Sequence, residues 1–431
     1  MRSFFVRLAA CVAVLGPLAC SDAESTPQVE AQPNTPFGPA SGAQTMDTGL
    51  QSPPAAPPDT SGNNPPSDTR TGTTPSEGQP TPVLNTPPPP PAMNTAEMPM
   101  PDPDGNQTPP PVAGPLVPPS TLPPFGPAAV PQPAGAVGNF RVLSWAGFKA
   151  AISFTFDDTN SSQIQRYQDL NSLGVPFTFY LITAANHVQD LQSPVWPQAL
   201  RDGHEIGNHT ANHMNTGSPN LAGDTDTGQA TLERMFGIKV YTMAAPFGAQ
   251  DYINIASSRY LINRGTPGGT IAANDNTNPF NLPCFIPNTN APVGDFNARV
   301  DAVRAAGTWQ TELVHGFNGA VHNDGAFQPV DIGVFQQAVR YAKSFGDVWI
   351  DTIAKVGPYW RAQKTVSTLT PTTANGSSTW TWTLPAHFPP GQYLRVTVSG
   401  GTLRQGDATV PWDAHGYYEI ALDRGSVTLS P

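Results

Sequence analysis

The chain has 431 residues, 51 of them proline, with a formal net charge of −11 and a pI near 5.0. That balance leaves no basic footprint for nucleic acid and no cationic face for an anionic membrane surface. Its three cysteines, Cys11, Cys20 and Cys284, are too few for a disulfide framework or a cysteine metal site.

The N-terminus reads as an export signal. Arg2 and Arg7 precede an apolar stretch over residues 8–19, too short to span a bilayer permanently. Cys20 follows Ala19 at its end, so residues 1–20 are expected to be a lipoprotein-type signal peptide with lipid added at Cys20. Ordinary secretion with cleavage nearby is the alternative. The expected location is outside the cytoplasm: an outer-membrane or cell-surface lipoprotein, otherwise a periplasmic or secreted protein.

About two-thirds of the prolines lie before Gly138, in runs such as the five at 87–91. Apolar residues there are too sparse to offset the entropy of ordering the chain, and polyproline stretches stay extended. Residues 21–137 are therefore expected to be a disordered tether rich in Pro, Thr and Ser.

From about Asn139 strand-like and helix-like segments alternate. Residues 150–156 are a buried-strand pattern, followed by a helix over 163–173 ending at Gly174 and a second strand over 177–182. A helix is expected over 196–201, strands near 240–243, 309–314 and 348–350, and a helix over 333–345. This alternation predicts an α/β fold with a parallel sheet, open or closed into a barrel. Residues 362–431 differ: alternation of period two at 380–384, 394–398, 417–422 and 426–429, with turns at Pro389-Pro390-Gly391 and Gly400-Gly401, predicts a small all-β sandwich.

Two segments carry the chemistry. Asp157 and Asp158 end the 150–156 strand, the edge at which parallel α/β folds build their sites. Successive strand residues point to opposite sides, so the two carboxylates share a cleft only if the strand has already ended. His209 and His213, four residues apart, project from one face if their segment is helical. An Asp and two His can hold a divalent metal, leaving a second Asp to take a proton.

With these motifs the chain resembles the polysaccharide deacetylases, the NodB-homology domains of carbohydrate esterase family 4. Thr155-Phe156-Asp157-Asp158-Thr159 is similar to the family's Thr-Phe-Asp-Asp-Gly, and His209 to His213, with Thr210, to its His-Ser/Thr-x-x-His. Ala244-Ala245-Pro246-Phe247-Gly248 stands where Arg-x-Pro-Tyr-Gly is usual, and Leu313-Val314-His315 resembles the last motif. The resemblance implies a distorted (β/α) barrel over residues 138–361. It assigns Asp158, His209 and His213 to one divalent metal: zinc, with cobalt, nickel or manganese as alternatives. It further implies Asp157 as general base on metal-bound water, His315 as general acid, and the Phe247 backbone N–H as oxyanion donor.

The implied activity is hydrolysis of N- or O-acetyl groups of an acetylated polysaccharide, with no nucleic-acid partner. Two departures bear on it: Thr159 replaces Gly, and Ala244 replaces the Arg that steadies the catalytic Asp, a charge that Arg264 would have to supply from another loop. They motivate the alternative of a carbohydrate-binding surface lipoprotein with a degenerate site; hydrolysis of a non-sugar C–N bond on the same scaffold is a third reading. His187, His204 and His322 are read as structural or exposed.

Overall fold

The computed structural model describes residues 119–184, 188–319 and 325–431; the expected signal peptide, Cys20 and the expected tether as far as residue 118 lie outside them, as do His187 and His322. A short strand β1 (Arg141–Val142) precedes the parallel sheet and pairs elsewhere. The sheet comprises β2 (Ala150–Phe156), β3 (Thr178–Leu181), β4 (Glu205–Asn208), β5 (Thr242–Ala244), β6 (Ile262–Arg264), β7 (Trp309–Val314) and β8 (Val348–Ile350). Its order is β6-β5-β4-β3-β2-β7, with β8 also on β2, and every pair is parallel. Strand β2 is paired along Ala151–Phe156 by β7, at Thr155–Phe156 by β3 and at Ala150–Ile152 by β8, and the sheet curls into a distorted (β/α) barrel around it.

Between the strands run α1 (Ser161–Gln165), α2 (Tyr167–Asn171), α3 (Val188–Leu191), α4 (Val195–Arg201), α5 (Leu221–Phe236), α6 (Asp251–Ser257), α7 (Val293–Ala306), α8 (Ile332–Ser344) and α9 (Ile353–Ser367). The helix expected over 163–173 is two short ones broken at Arg166. Helix α5 escapes sequence reading because Gly, Thr and Asp are weak helix formers. Its ends are nonetheless well marked: the Asn220 side chain accepts from Gly223 N, and Gly237 closes it at φ +65°.

All seven residues of β2 are buried, as a strand covered on both faces requires. Ile152, Phe154 and Phe156 pack against the helices with Phe179, Ile206, Met243 and Val314. The alternate residues face the interior: Ala151, Tyr180, Ala244, Ile262 and Trp309 belong to a second cluster.

That second cluster continues into the C-terminal module. Its two antiparallel sheets have the order β1-β11-β15-β14 and β13-β12-β16-β10-β9, formed by β9 (Thr372–Ala374), β10 (Ser377–Thr381), β11 (Tyr393–Thr397), β12 (Thr402–Gln405), β13 (Ala408–Thr409), β14 (Trp412–Asp413), β15 (Tyr417–Ala421) and β16 (Ser426–Ser430). Trp145, Trp349 and Trp360 share one core with Trp380, Trp382, Leu394 and Leu429. Helix α9 spans residue 361, where composition placed the end of the barrel domain, and packs on β1 and β11. Buried Arg395 donates to Ala146 O, Pro123 O and Glu419.

Residues 119–137, assigned by composition to the tether, lie along this module: Val130 N donates to Ala414 O at 2.7 Å, Gly135 N to Ser399 O at 2.9 Å, and Trp412 Nε1 to Val130 O. An extended proline-rich segment needs no internal hydrogen bonds, so composition cannot tell a free stretch from a docked one.

Candidate active site

Strand parity puts the chemistry on the interior face. Counting by twos along β2 from Ala151 through Ser153 and Thr155 reaches Asp157; along β7 from Trp309 through Thr311 and Leu313 it reaches His315. The same count takes β4 to His209 and β6 from Ile262 to Arg264. Asp157, Asp158, His209, His213, Arg264, Leu313 and His315 all line one cavity of about 460 Å³ at the C-terminal ends of the strands.

The strand ends at Phe156, and Asp158 (φ +75°) and Thr159 (φ +57°) turn left-handed. That turn returns the Asp158 carboxylate to the side of Asp157. Thr159 holds a conformation a β-branched residue seldom adopts; its buried hydroxyl accepts from Ile182 N at 2.8 Å and donates to Ile182 O. The turn thus accommodates Thr in place of Gly.

The two histidines do not stand on a helix. They belong to the loop after β4, where Thr210 (φ +66°) and His213 (φ +52°) make the bends that bring both rings round. Sequence spacing alone cannot separate that loop from one helical turn. Asp224 of α5 secures it, accepting from Asn212 N at 3.1 Å and Asn212 Nδ2 at 2.6 Å. Asn208 Oδ1 accepts from Thr210 N while its amide donates to Thr225 O and the Tyr260 hydroxyl. Gly228 makes the approach of α5 possible, since a Cβ there would sit 2.5 Å from Asn208 Oδ1 and 2.7 Å from the Thr210 carbonyl carbon.

Asp158 Oδ1 lies 3.2 Å from His209 Nε2 and 3.4 Å from His213 Nε2, and the two Nε2 atoms are 3.1 Å apart. One ligand atom from each of these residues falls within a 4.8 Å group. His209 Nδ1 is 2.9 Å from Ala244 O, an arrangement in which Nδ1 carries the proton and Nε2 is left as a lone-pair donor. Burial opposes ionisation of Asp158, but the bond from His209 and the charges of His209, His315 and His213 prevail and hold its pKa below the ordinary value. Three convergent donors, one a carboxylate and two imidazoles, fit a divalent metal.

Asp157 is buried at 2% exposure. Its Oδ2 accepts from Arg264 Nη2, and its Oδ1 has no hydrogen-bond partner. Arg264, also fully buried, ends strand β6 rather than lying in a loop, and its register partner on β5 is Ala244. Burial works against its charge, and Asp157 more than restores it, raising the pKa further above the ordinary value.

His315 follows β7. Its backbone carbonyl accepts from Asn160 Nδ2 at 2.8 Å and Gln163 Nε2 at 2.7 Å, and Gln163 Nε2 also reaches Asp157 O at 2.5 Å. Asn160 stands at the N-cap of α1, but its amide is diverted to His315 instead of capping. Burial pushes the His315 imidazolium down, and the Asp157 and Asp158 carboxylates only partly oppose it.

Phe247 sits at φ +55° in the turn Pro246–Gly248, its ring 60% exposed and 4.4 Å from His213. Phe327, 58% exposed, meets His315 edge-on at 5.2 Å. Among the described residues only two other large apolar side chains, Val137 and Met235, are comparably exposed, so these two mark the rim of the cleft. Sequence reading missed Asp224, Asn160, Gln163 and Phe327, none of which falls in a recognisable motif. Reading His204 as structural agrees with its place: its Nδ1 accepts from Phe177 N, it stacks on Phe177, and burial lowers its pKa to about 4.

Residues 147–261 match the family model described as polysaccharide deacetylase. A curated gellan lyase of a Bacillus species is 32% identical over 137 residues, covering 30% of this chain; the chain spans about 5% of that protein's length. Among solved structures, a putative polysaccharide deacetylase from Mycobacterium smegmatis is similar at 18% identity, covering 56% of this chain and 100% of its own, with a TM-score of 0.38. A family 4 acetyl xylan esterase from Clostridium thermocellum, in complex with a cobalt ion, is similar at 21% identity, covering 48% and 89%, with a TM-score of 0.33. The likeness to polysaccharide deacetylases thus rests on residues 147–261, the stretch that carries Asp157, Asp158, His209 and His213.

Proposed function

We propose that this protein is a metal-dependent deacetylase that hydrolyses N- or O-acetyl groups of a polysaccharide, yielding acetate and a free amine or hydroxyl. The observation that carries the reading is the convergence of Asp158, His209 and His213 in one cleft with Asp157 and His315. A divalent ion held there, zinc in our proposal, would supply Lewis acidity and lower the pKa of water.

The chain's own groups divide the remaining work. Asp157, fixed at Oδ2 by Arg264, has Oδ1 available to accept a proton from water. The His315 imidazole passes a proton to the departing nitrogen or oxygen. The Phe247 N–H would donate to the charge that develops on the acetyl oxygen. Leu313, Ile286, Phe247 and Phe327 give the cleft apolar walls that receive the acetyl methyl and exclude bulk water. The buried guanidinium at Asp157 favours turnover over the degenerate-site reading, because the partner lost at Ala244 is present on the next strand.

The test is acetate release from chitin-type oligomers, peptidoglycan glycan, acetylated xylan and an acetylated exopolysaccharide, with and without a chelator. Release that the chelator abolishes supports the reading; none from any polymer after zinc or cobalt reconstitution overturns it. Export and lipidation at Cys20 belong to the same proposal, placing the enzyme beside extracytoplasmic glycans. Labelling with a radioactive fatty acid in the native host, lost in Cys20→Ala, checks that part.

A further inference from the structure

The geometry points to Arg264 as a positioning residue whose guanidinium has moved one strand along the sheet, from the position of Ala244 on β5 to its register partner on β6, while still serving Asp157. This rests on the proposed hydrolase reading and adds to it a residue outside the recognisable motifs.

Ala244 and Arg264 are Cα partners in parallel pairing, and neighbouring strands lie about 4.8 Å apart with paired side chains on the same face. An arginine reaches well beyond that spacing, so one guanidinium position is accessible from either strand. From β6 the group is tightly constrained. Nη2 donates to Asp157 Oδ2, Nη1 donates to Gly265 O at 3.2 Å, and the guanidinium carbon lies 5.6 Å from the centre of the Tyr180 ring. Both charges are buried, a costly arrangement unless they are paired.

The site also explains why the charge is needed. Asp157 Oδ2 is 3.5 Å from His209 Nε2, within reach of the proposed metal ligands. Without a competing cation the Asp157 carboxylate is free to turn toward the metal as an additional ligand and cease to act as base. Arg264 holds Oδ2 away and leaves Oδ1 unpartnered. A helix-facing salt bridge would have no such consequence, but this one lies on the interior face, in the wall of the cleft.

The experiment compares wild type, Arg264→Ala and the double variant Arg264→Ala/Ala244→Arg, each loaded with cobalt(II). Turnover is measured on the polymer that wild type deacetylates, and the visible cobalt spectrum is recorded separately. Arg264→Ala is expected to lose at least about 100-fold in kcat, with KM within about threefold, and to show an altered spectrum as Asp157 joins the metal. The double variant is expected to recover at least about tenfold of that loss and the wild-type spectrum, since the guanidinium is restored from the other strand.

A folded Arg264→Ala with wild-type kcat and spectrum overturns the assignment. So does a folded, inactive variant that the Ala244→Arg change fails to rescue, because the arginine is then structural only. If Arg264→Ala does not fold, the double variant decides: folded and active supports the relocation, unfolded or inactive overturns it. A wild type that hydrolyses no polymer counts against the proposed function instead, and the three cobalt spectra then decide this assignment independently.

Discussion

The two ends of the barrel differ in how their large side chains and polar groups are met. At the C-terminal ends of the strands, non-glycine residues take left-handed backbone at Asp158, Thr159, Thr210, His213 and Phe247. Buried polar atoms lack partners there, among them Asp157 Oδ1, His315 Nδ1 and Arg264 Nε, and two phenylalanines face solvent. Where the interior meets the sandwich the backbone is left-handed as well, at Trp145 (φ +49°) and Ala146 (φ +55°), but the large side chains there are buried and their indole N–H groups are paired. Trp145 Nε1 donates to Gly307 O at 2.8 Å, Trp309 Nε1 to Ser153 Oγ at 3.1 Å and Trp360 Nε1 to Ala272 O at 3.2 Å. Strain and unmet polar groups persist only where surrounding structure holds them in place.

This contrast breaks if mutations at the two ends have similar effects. His213→Ala is expected to reduce turnover by at least about 10³-fold while changing the melting temperature of the metal-free protein little, because its side chain is 24% exposed and it removes a donor and little packing. Acetate release and calorimetry on one preparation test this; a severe loss of stability would merge the two ends. Trp360→Ala should behave oppositely, losing about 3–5 kcal/mol of stability. Urea unfolding measures that cost, and the fraction that remains folded should keep its kcat.

Asp224→Ala sharpens the same contrast at an intermediate distance. Asp224 touches neither the proposed metal nor the substrate, yet it holds the loop between the two histidines through Asn212. Groups that orient metal ligands typically contribute 10–100-fold, so metal affinity should fall by about that factor. Competition with a chromophoric chelator measures it, and unchanged affinity would show that the left-handed turns hold the loop by themselves.

How much of this was legible in the sequence follows the same division. Asp157, Asp158, His209, His213 and His315 are visible because their chemistry is local to short motifs. Parity along β2 and β7 also foretells the face, once the strands are known. The path of the histidine loop was not legible, because spacing of four fits both a helical turn and this bent loop. The link between Ala244 and Arg264 depends on strand register, which no window of sequence contains. Residues 119–137 and the continuity of α9 across residue 361 were missed for another reason. Composition reports propensity, and both are fixed by partners far along the chain, such as Ser399, Ala414 and β11.

The last comparison concerns the helix-facing side of β7, opposite the cleft. Glu312 alternates with the interior residues of that strand and is 1% exposed, with Oε2 unpartnered. Burial raises its pKa from 4.5 to about 8, and the charge of Arg299 only partly opposes this. The folded state therefore keeps the proton across pH 4.5–8 while the unfolded chain releases it. Native protein binds more protons in that window, so stability falls as pH rises, by up to about 1.4 kcal/mol per pH unit, and the contribution levels off above about pH 8. Glu312→Gln keeps the shape and removes the titration. Urea unfolding at pH 6 and pH 8 should show a shallower decline for the variant, which becomes the more stable of the two at pH 8. Parallel declines would mean that Glu312 is ionised in the folded state and that this helix-facing layer, like the cleft, tolerates a buried charge.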